Sequence, residues 1–268
     1  MRGHPTADDG TRAKPIGLAA TPTTRQAWHV STPPGPGHIA FICAMPMELR
    51  PLVKKLSLHK TQIGGVTVHS GTLRGREVVA IVTGMGTKLA TEGTRRMLEA
   101  VSVDRVVVVG ITGAVENDTP IGTLVLPEVV VNSATGSEHR PTALGDGTSH
   151  GKMWTTDELL TDVDLIAGLR AQGVVSLDME TAAIAEVCET RGIPWSVFRV
   201  ISDRATDGSI DEEVFHLSNQ DGTPNPQAVA RYFAKHPGRI PRMAKLAKGA
   251  KLATETAADA AIRACLQA

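Results

Sequence analysis

Aromatic residues make up only 3% of the 268 positions, with three Trp, one Tyr and four Phe. That is too few for a platform on which single-stranded bases stack. Cysteine is scarce as well. Cys43, Cys188 and Cys265 are odd in number, far apart and form no CxxC pair. Neither a disulfide framework nor a cysteine zinc site is supported, and a reducing cytoplasm is the expected compartment. Neither sign of charge is in excess, with 28 Lys and Arg against 28 Asp and Glu. The basic surplus that grips a phosphate backbone is missing, so no nucleic-acid partner is expected. Apolar stretches such as Val106–Val109 fall far short of the ~20 residues of a membrane span, so no membrane partner is expected either. No HxxxH or similar spacing suggests a metal.

What is present is an ordinary globular composition, 41% hydrophobic and 21% charged, on a length that suits one α/β domain. Residues 1–37 stand apart, rich in Pro, Gly, Thr and charge, without the apolar core of a signal peptide and closed by a PPGPG run. We expect a disordered N-terminal extension there and a single domain over 38–268.

From Ile39 onward, apolar runs alternate with helical patterns. IAFICAM reads as a buried strand and MELRPLVKKL as a helix with Pro51 near its start. VTVHSGTL and REVVAIVTG flank a hairpin turn at Arg74-Gly75. LATEGTRRMLEA is a helix, RVVVVGITG a strand and GTLVLPEVVV another. A polar loop covers 132–150, and TDELLTDVDLIAGLRAQ is an amphipathic helix. VVSLDM is a strand, METAAIAEVCETRG a helix and WSVFRVISD a strand. The Ala- and Lys-rich tail from Ala228 reads as one or two surface helices. This alternation implies a layered α/β fold with a largely parallel sheet that the hairpin makes mixed.

Ligands of such sheets bind beyond the carboxyl ends of the strands. Those ends carry Glu48, the glycines Gly84 and Gly86, Ile111-Thr112-Gly113, Asp178-Met179-Glu180 and Ser202-Asp203, with Arg199 inside the last strand. Each has a bland alternative. Glu48 and Glu180 suit helix starts, Asp203 suits an N-cap, and the glycines suit a tight turn. The glycines fail the dinucleotide fingerprint because position 89 is Leu, and GMGTK lacks the spacing of a P-loop, so no organic cofactor is implied. Arg199 is the exception. An arginine in the apolar run VFRVI must find an acidic partner or a ligand.

Taken in order, IAFICAMPMELRPLVKKL, VTGMGTKLATEGTRRML, VVVVGITGAVENDTPIGTLVLPEVVV and LDMETAAIAEVC…PWSVFRVISD resemble the purine nucleoside phosphorylase/nucleosidase superfamily. Within it they look most like the methylthioadenosine/S-adenosylhomocysteine nucleosidases. The resemblance implies a three-layer phosphorylase-like α/β fold whose mixed, partly barrel-like central sheet is flanked by helices. It implies hydrolytic removal of the base from a 5′-modified adenosine, without cofactor, by a homodimer. Under it Asp203 protonates the purine, Glu48 positions the water, Glu180 binds the ribose hydroxyls and Met179 packs beneath the sugar. Arg199 holds the nucleophile pocket, and Leu159 and Leu160 hold the base. The family's usual Ser-Ala-Gly-Gly turn is Ile111-Thr112-Gly113-Ala114 here, so Thr112 is the candidate hydroxyl at the nucleophile. The family's stacking Phe is Leu159. The stretch between Val131 and Gly151 is shorter than usual, which implies a more open pocket that admits a bulkier 5′ substituent.

Two alternatives stand beside hydrolysis. One is phosphorolysis, with the backbone N–H groups of the turn at Gly84 holding the anion. The other is a non-catalytic nucleoside-binding protein on the same fold.

Overall fold

The structure, a computed structural model, describes residues 37–208 and 210–267. The expected extension lies outside the described residues up to position 36.

The chain opens with β1 (His38–Cys43), which runs into α1 (Pro46–Leu56), with Pro46 in the first turn where its missing N–H is not needed. Three strands follow: β2 (His59–Ile63), β3 (Val66–Leu73) and β4 (Arg76–Val82). β3 and β4 form the expected hairpin. Arg74 and Gly75 have φ of 48° and 80°, the pair of positive values a type I′ turn requires. Next come α2 (Thr87–Ala100) and the long β5 (Val103–Ala114). The expected single strand GTLVLPEVVV is two, β6 (Leu124–Val125) and β7 (Val129–Asn132), because Pro127 cannot donate to a ladder.

The expected loop contains a short strand, β8 (Glu138–His139), and β9 (Lys152–Thr155) follows it. The helix expected from TDELL onward is only α3 (Val163–Ala171). Asp162 caps it, accepting from the N–H groups of Asp164 and Leu165 at 2.9 Å, which leaves 156–161 as a loop. β10 (Val174–Asp178), α4 (Thr181–Thr190) and β11 (Trp195–Arg204) complete the core. Three helices end the chain: α5 (Glu212–Phe215), α6 (Pro226–Lys235) and α7 (Ile240–Gln267).

The strands join in one mixed sheet ordered β2-β3-β4-β1-β5-β10-β9-β7-β8, with β11 pairing β5 and β6 as a branch. β1 runs parallel to β4 and β5, and β11 runs parallel to β5, while the β3–β4 hairpin, the β5–β10 pair and the β11–β6 pair are antiparallel. The sheet stops short of a closed barrel among the described residues. Alternation along the central strands sorts the core into two layers. Ala40, Ile42, Val106 and Val108 face a cluster that includes Met97 and Leu98 of α2 and Ala182 and Ile184 of α4. Ile39, Phe41, Val107 and Val109 face Leu49 and Leu52 of α1 and the alanines of α7.

The tail departs from expectation here. The C-terminal half of α7 is core, with Ala253, Ala257, Ala258 and Ala261 buried, because side chains this small let the helix lie close on β5 and β11. Only its N-terminal half is a surface element. No helix among the described residues is long and apolar enough to cross a membrane.

Candidate active site

The carboxyl ends of β1, β5, β10 and β11 converge on one cavity of about 770 Å³. At its closed end lies Arg199, fully buried, in the middle of β11. Its five N–H donors all find acceptors. Nη2 donates to Asp178 Oδ2 at 2.9 Å and to Glu180 Oε2 at 3.1 Å. Nη1 donates to Glu48 Oε1 at 3.3 Å and to the Ile111 carbonyl at 3.2 Å, and Nε donates to Thr181 Oγ1 at 3.3 Å. Burial alone works against its charge, but Asp178, Glu48 and Glu180 outweigh it and hold the guanidinium protonated.

Glu48 shows how a bland and a functional reading coexist. It sits at the third position of α1, and Oε2 reaches back to the N–H groups of Ala44 and Met45 at 2.8 and 2.9 Å, half of a capping box. Oε1 accepts from the Ile111 N–H at 2.8 Å. Burial raises its pKa above the ordinary value, against the opposing pull of Arg199 and these backbone donors. A glycine at position 110 is what lets this pair fit. A Cβ there would come within 2.2 Å of Glu48 Oε1 and 2.4 Å of Arg199 Nη1.

Glu180, at the start of α4, accepts from Gly86 N–H at 3.0 Å as well as from Arg199. Burial raises its pKa, and the neighbouring Asp178 and Glu48 carboxylates add to the rise against Arg199. Of the three carboxylates on the guanidinium, Glu180 accepts from the fewest donors, Gly86 N–H and Arg199 Nη2.

Asp203 stands apart from the cluster. The β11–β5 register slips between Ile201 and Asp203, and such a bulge re-aims a side chain. Opposite it Gly113 leaves room, since a Cβ there would lie 3.2 Å from Asp203 Oδ2. Ser202 Oγ donates to Asp203 Oδ1 at 2.5 Å. Burial, only partly opposed by that bond, pushes the Asp203 pKa up to about 6.

Of the residues singled out from the sequence, Glu48, Ile111, Thr112, Leu159, Leu160, Met179, Glu180, Arg199 and Asp203 all line this cavity. Gly84 does not: with φ of 100° it forms the turn, and Met85 faces the cavity instead. The turn's donors are engaged, Gly84 N–H with Ala44 O at 3.0 Å, Met85 N–H with Gln220 O at 2.8 Å and Gly86 N–H with Glu180. Thr112 is buried and its hydroxyl donates to Leu177 O at 2.7 Å, so it can meet a nucleophile only as an acceptor.

Three contributions were given no role in the sequence reading, which placed Asp178 and Ser202 at the strand ends and no more. Asp178 is a buried partner of Arg199, held by Thr155 Oγ1 at 2.6 Å and by Thr181 N–H at 2.9 Å. Its signal was an acid three residues before a helix-starting Thr. Ser202 is the donor to Asp203. Finally, α5, α6 and α7 wall the outer cavity, whereas no residue of 132–150 reaches it. That stretch packs elsewhere, with His139 Nδ1 2.7 Å from Glu189 Oε2 and Leu144 buried beside α7. Among the described residues no cluster of His, Cys, Asp or Glu is arranged to hold a metal.

A family profile described as "Phosphorylase superfamily" matches residues 38–148 and 138–235. The 5′-methylthioadenosine/S-adenosylhomocysteine nucleosidase of Chromohalobacter salexigens is 32% identical over 204 residues, 62% of this chain and 84% of its own. Among solved structures, a Helicobacter pylori MTAN mutant with 5′-methylthioadenosine in its active site aligns with a TM-score of 0.63 at 18% identity, over 83% of this chain and 95% of its own. The native futalosine hydrolase of the same organism aligns with a TM-score of 0.62 at 16% identity, over 83% and 94%. At these identities the two structures speak for the fold.

Proposed function

The chain belongs to the phosphorylase superfamily, and from that premise we propose that it hydrolyses the N-glycosidic bond of a 5′-modified adenosine and releases the free base. Breaking this bond builds positive charge on the sugar and negative charge on the departing purine, much as in glycoside hydrolysis. Asp203, with its pKa near 6, is the acid that gives the purine a proton. Glu180 accepts from the ribose hydroxyls and Met179 packs beneath the sugar. Leu159 and Leu160 hold the base by apolar contact. Glu48 positions the attacking water. Its four acceptor sites are occupied, and the 3.3 Å contact with Arg199 is the weakest of them, so that is the contact the water competes for. Arg199 is a positioning residue that holds the three carboxylates in place.

One observation favours water over phosphate. The N–H groups of the turn at Gly84, which an anion would need, are engaged within the protein. The test is chromatographic detection of the free base, adenine from methylthioadenosine, S-adenosylhomocysteine and adenosine and hypoxanthine from inosine, with and without phosphate. We expect release from at least one adenosine derivative at the same rate in both conditions. Release that requires phosphate makes the protein a phosphorylase, and binding without release makes it a nucleoside-binding protein.

The proposal extends to a homodimer working in the cytoplasm. The dimer rests on the family resemblance of the sequence motifs, and three free, buried cysteines suit a reducing compartment. Light scattering on the purified chain is expected to give twice the 28.3 kDa chain mass, and a monomer mass overturns the dimer.

A further inference from the structure

A second cavity, of about 320 Å³, adjoins the first. Ser202, Asp203 and Leu246 line both, so the two share a wall. The second is basic where the first is acidic. Arg204 and Asp207 reach it from the end of β11 and the segment that follows, and Arg242 and Lys245 reach it from α7. On α7 the spacing explains the placement. Arg242, Lys245, Leu246 and Gly249 recur at three- and four-residue steps and so share one helix face. Gly249 brings that face close to β11, since an added Cβ would lie 3.1 Å from the Ser202 carbonyl oxygen.

The charges in this cavity do not cancel. Arg204 Nη1 lies 4.0 Å from Asp207 Oδ2, and Arg204 Nε donates to the Thr119 carbonyl at 3.0 Å. Asp203 turns its oxygens elsewhere, Oδ1 to Ser202 Oγ and Oδ2 towards Gly113. That leaves Arg242 and Lys245, neither of which makes an ion pair among the described residues. Lys245 stands exposed at the rim. Arg242 is half-buried, and its Nη2 is buried without a hydrogen-bond partner. Asp211 lies in its field, but that carboxylate already accepts from Val214 N–H at 2.9 Å and from Arg239 Nη1 at 2.8 Å. A buried guanidinium nitrogen with no acceptor is costly, and an acceptor arriving from outside the protein accounts for it. A water satisfies the donor but not the charge.

We propose that this cavity binds the phosphate group of a small phosphorylated molecule, with Arg242 and Lys245 on one side and Arg204 on the other. Cations on two facing elements suit a group that accepts from several directions, whereas one guanidinium edge already serves a carboxylate. The volume is that of a small-molecule pocket and exceeds what a bare anion fills. The occupant is not the attacking nucleophile, because Glu48, Glu180 and Arg199 line only the first cavity. Binding here is therefore separate from the hydrolytic reading and is tested without turnover.

The experiment is titration calorimetry of the full chain at constant ionic strength with glycerol 3-phosphate, with inorganic sulfate and with glycerol as the uncharged control. We expect the ester to bind and glycerol not to. At about a hundredfold excess over its Kd the ester should raise the melting temperature by about 5 °C or more. Arg242→Ala should weaken binding at least about tenfold, and Lys245→Ala several-fold. Neither variant should lower the melting temperature of the unliganded chain by more than about 2 °C, since Lys245 is exposed and the nitrogen lost from Arg242 had no partner. Ester binding tighter than sulfate assigns the site to a phosphorylated molecule, and equal binding assigns it to the free anion. Binding of neither, or ester binding that Arg242→Ala leaves unchanged, overturns the proposal.

Discussion

Asp203→Asn lowers base release by roughly 10²–10⁴-fold and raises the melting temperature at neutral pH. The first effect is the loss of a positioned acid. The amide keeps the size and an acceptor for Ser202 Oγ, but it has no proton to give the purine. The second effect comes from linkage. The folded pKa is about 6 against an ordinary value of 3.8. Between those values the folded state holds a proton that the unfolded chain releases. Stability therefore falls as pH rises through this window, and the penalty is complete above it. Its size is about 3 kcal/mol, which an uncharged amide avoids, worth roughly 6–10 °C in a chain of this length. Thermal melts of wild type and variant from pH 4 to 8 should therefore diverge as pH rises and converge near pH 4. In the active protein the same titration makes kcat/KM decline above about pH 6 as Asp203 ionises. A variant that loses activity but gains no stability at pH 8 would mean that burial does not perturb this carboxyl. A variant that keeps its activity would remove Asp203 as the acid.

That trade of stability for chemistry explains why part of the site was legible in the sequence. Arg199 stood out because a guanidinium inside VFRVI has no bland explanation, and the structure supplies three carboxylates for it. The strand-end rule brought Glu48, Glu180 and Asp203 to one rim before any contact was known. Two kinds of information were out of reach. The first is what a group is already bonded to. The glycines at 84 and 86 looked like an anion cradle, yet the turn's donors are engaged, and the Thr112 hydroxyl is tied to Leu177 O. The second is how distant segments pair. β9 is four residues long, too short for a period to register, and TDELL reads as helix until Asp162 is seen capping α3 at a later start. The tail misled for a third reason. Alanine is weakly hydrophobic, so a pattern of Ala and Lys looks like a solvated helix. The same small side chains let α7 bury one half against the sheet and line the cavity with the other.

Arg199→Met destabilises the fold by roughly 3–5 kcal/mol, the largest stability loss expected of any single substitution in this site. Methionine replaces the volume of the side chain, so the loss is one of charge. It leaves Glu48, Asp178 and Glu180 facing one another in a buried space with no cation. Arg199→Lys recovers only part of this. One ammonium cannot reach Glu48 on one side and Asp178 and Glu180 on the other, as Nη1 and Nη2 do. The pH dependence separates this account from simple mispacking. Without the guanidinium the carboxylates have higher folded pKa values, because burial and mutual repulsion remain while the opposing attraction is gone. The folded variant then binds more protons than the unfolded chain, so its stability rises as pH falls. Urea midpoints at pH 5 and pH 8 should show a deficit relative to wild type that is clearly smaller at pH 5. An equal deficit at both values would assign the loss to packing. Arg199 would then be a large buried side chain that happens to carry charge, and the three carboxylates would have to owe their positions to their backbone donors and to the threonines around Asp178.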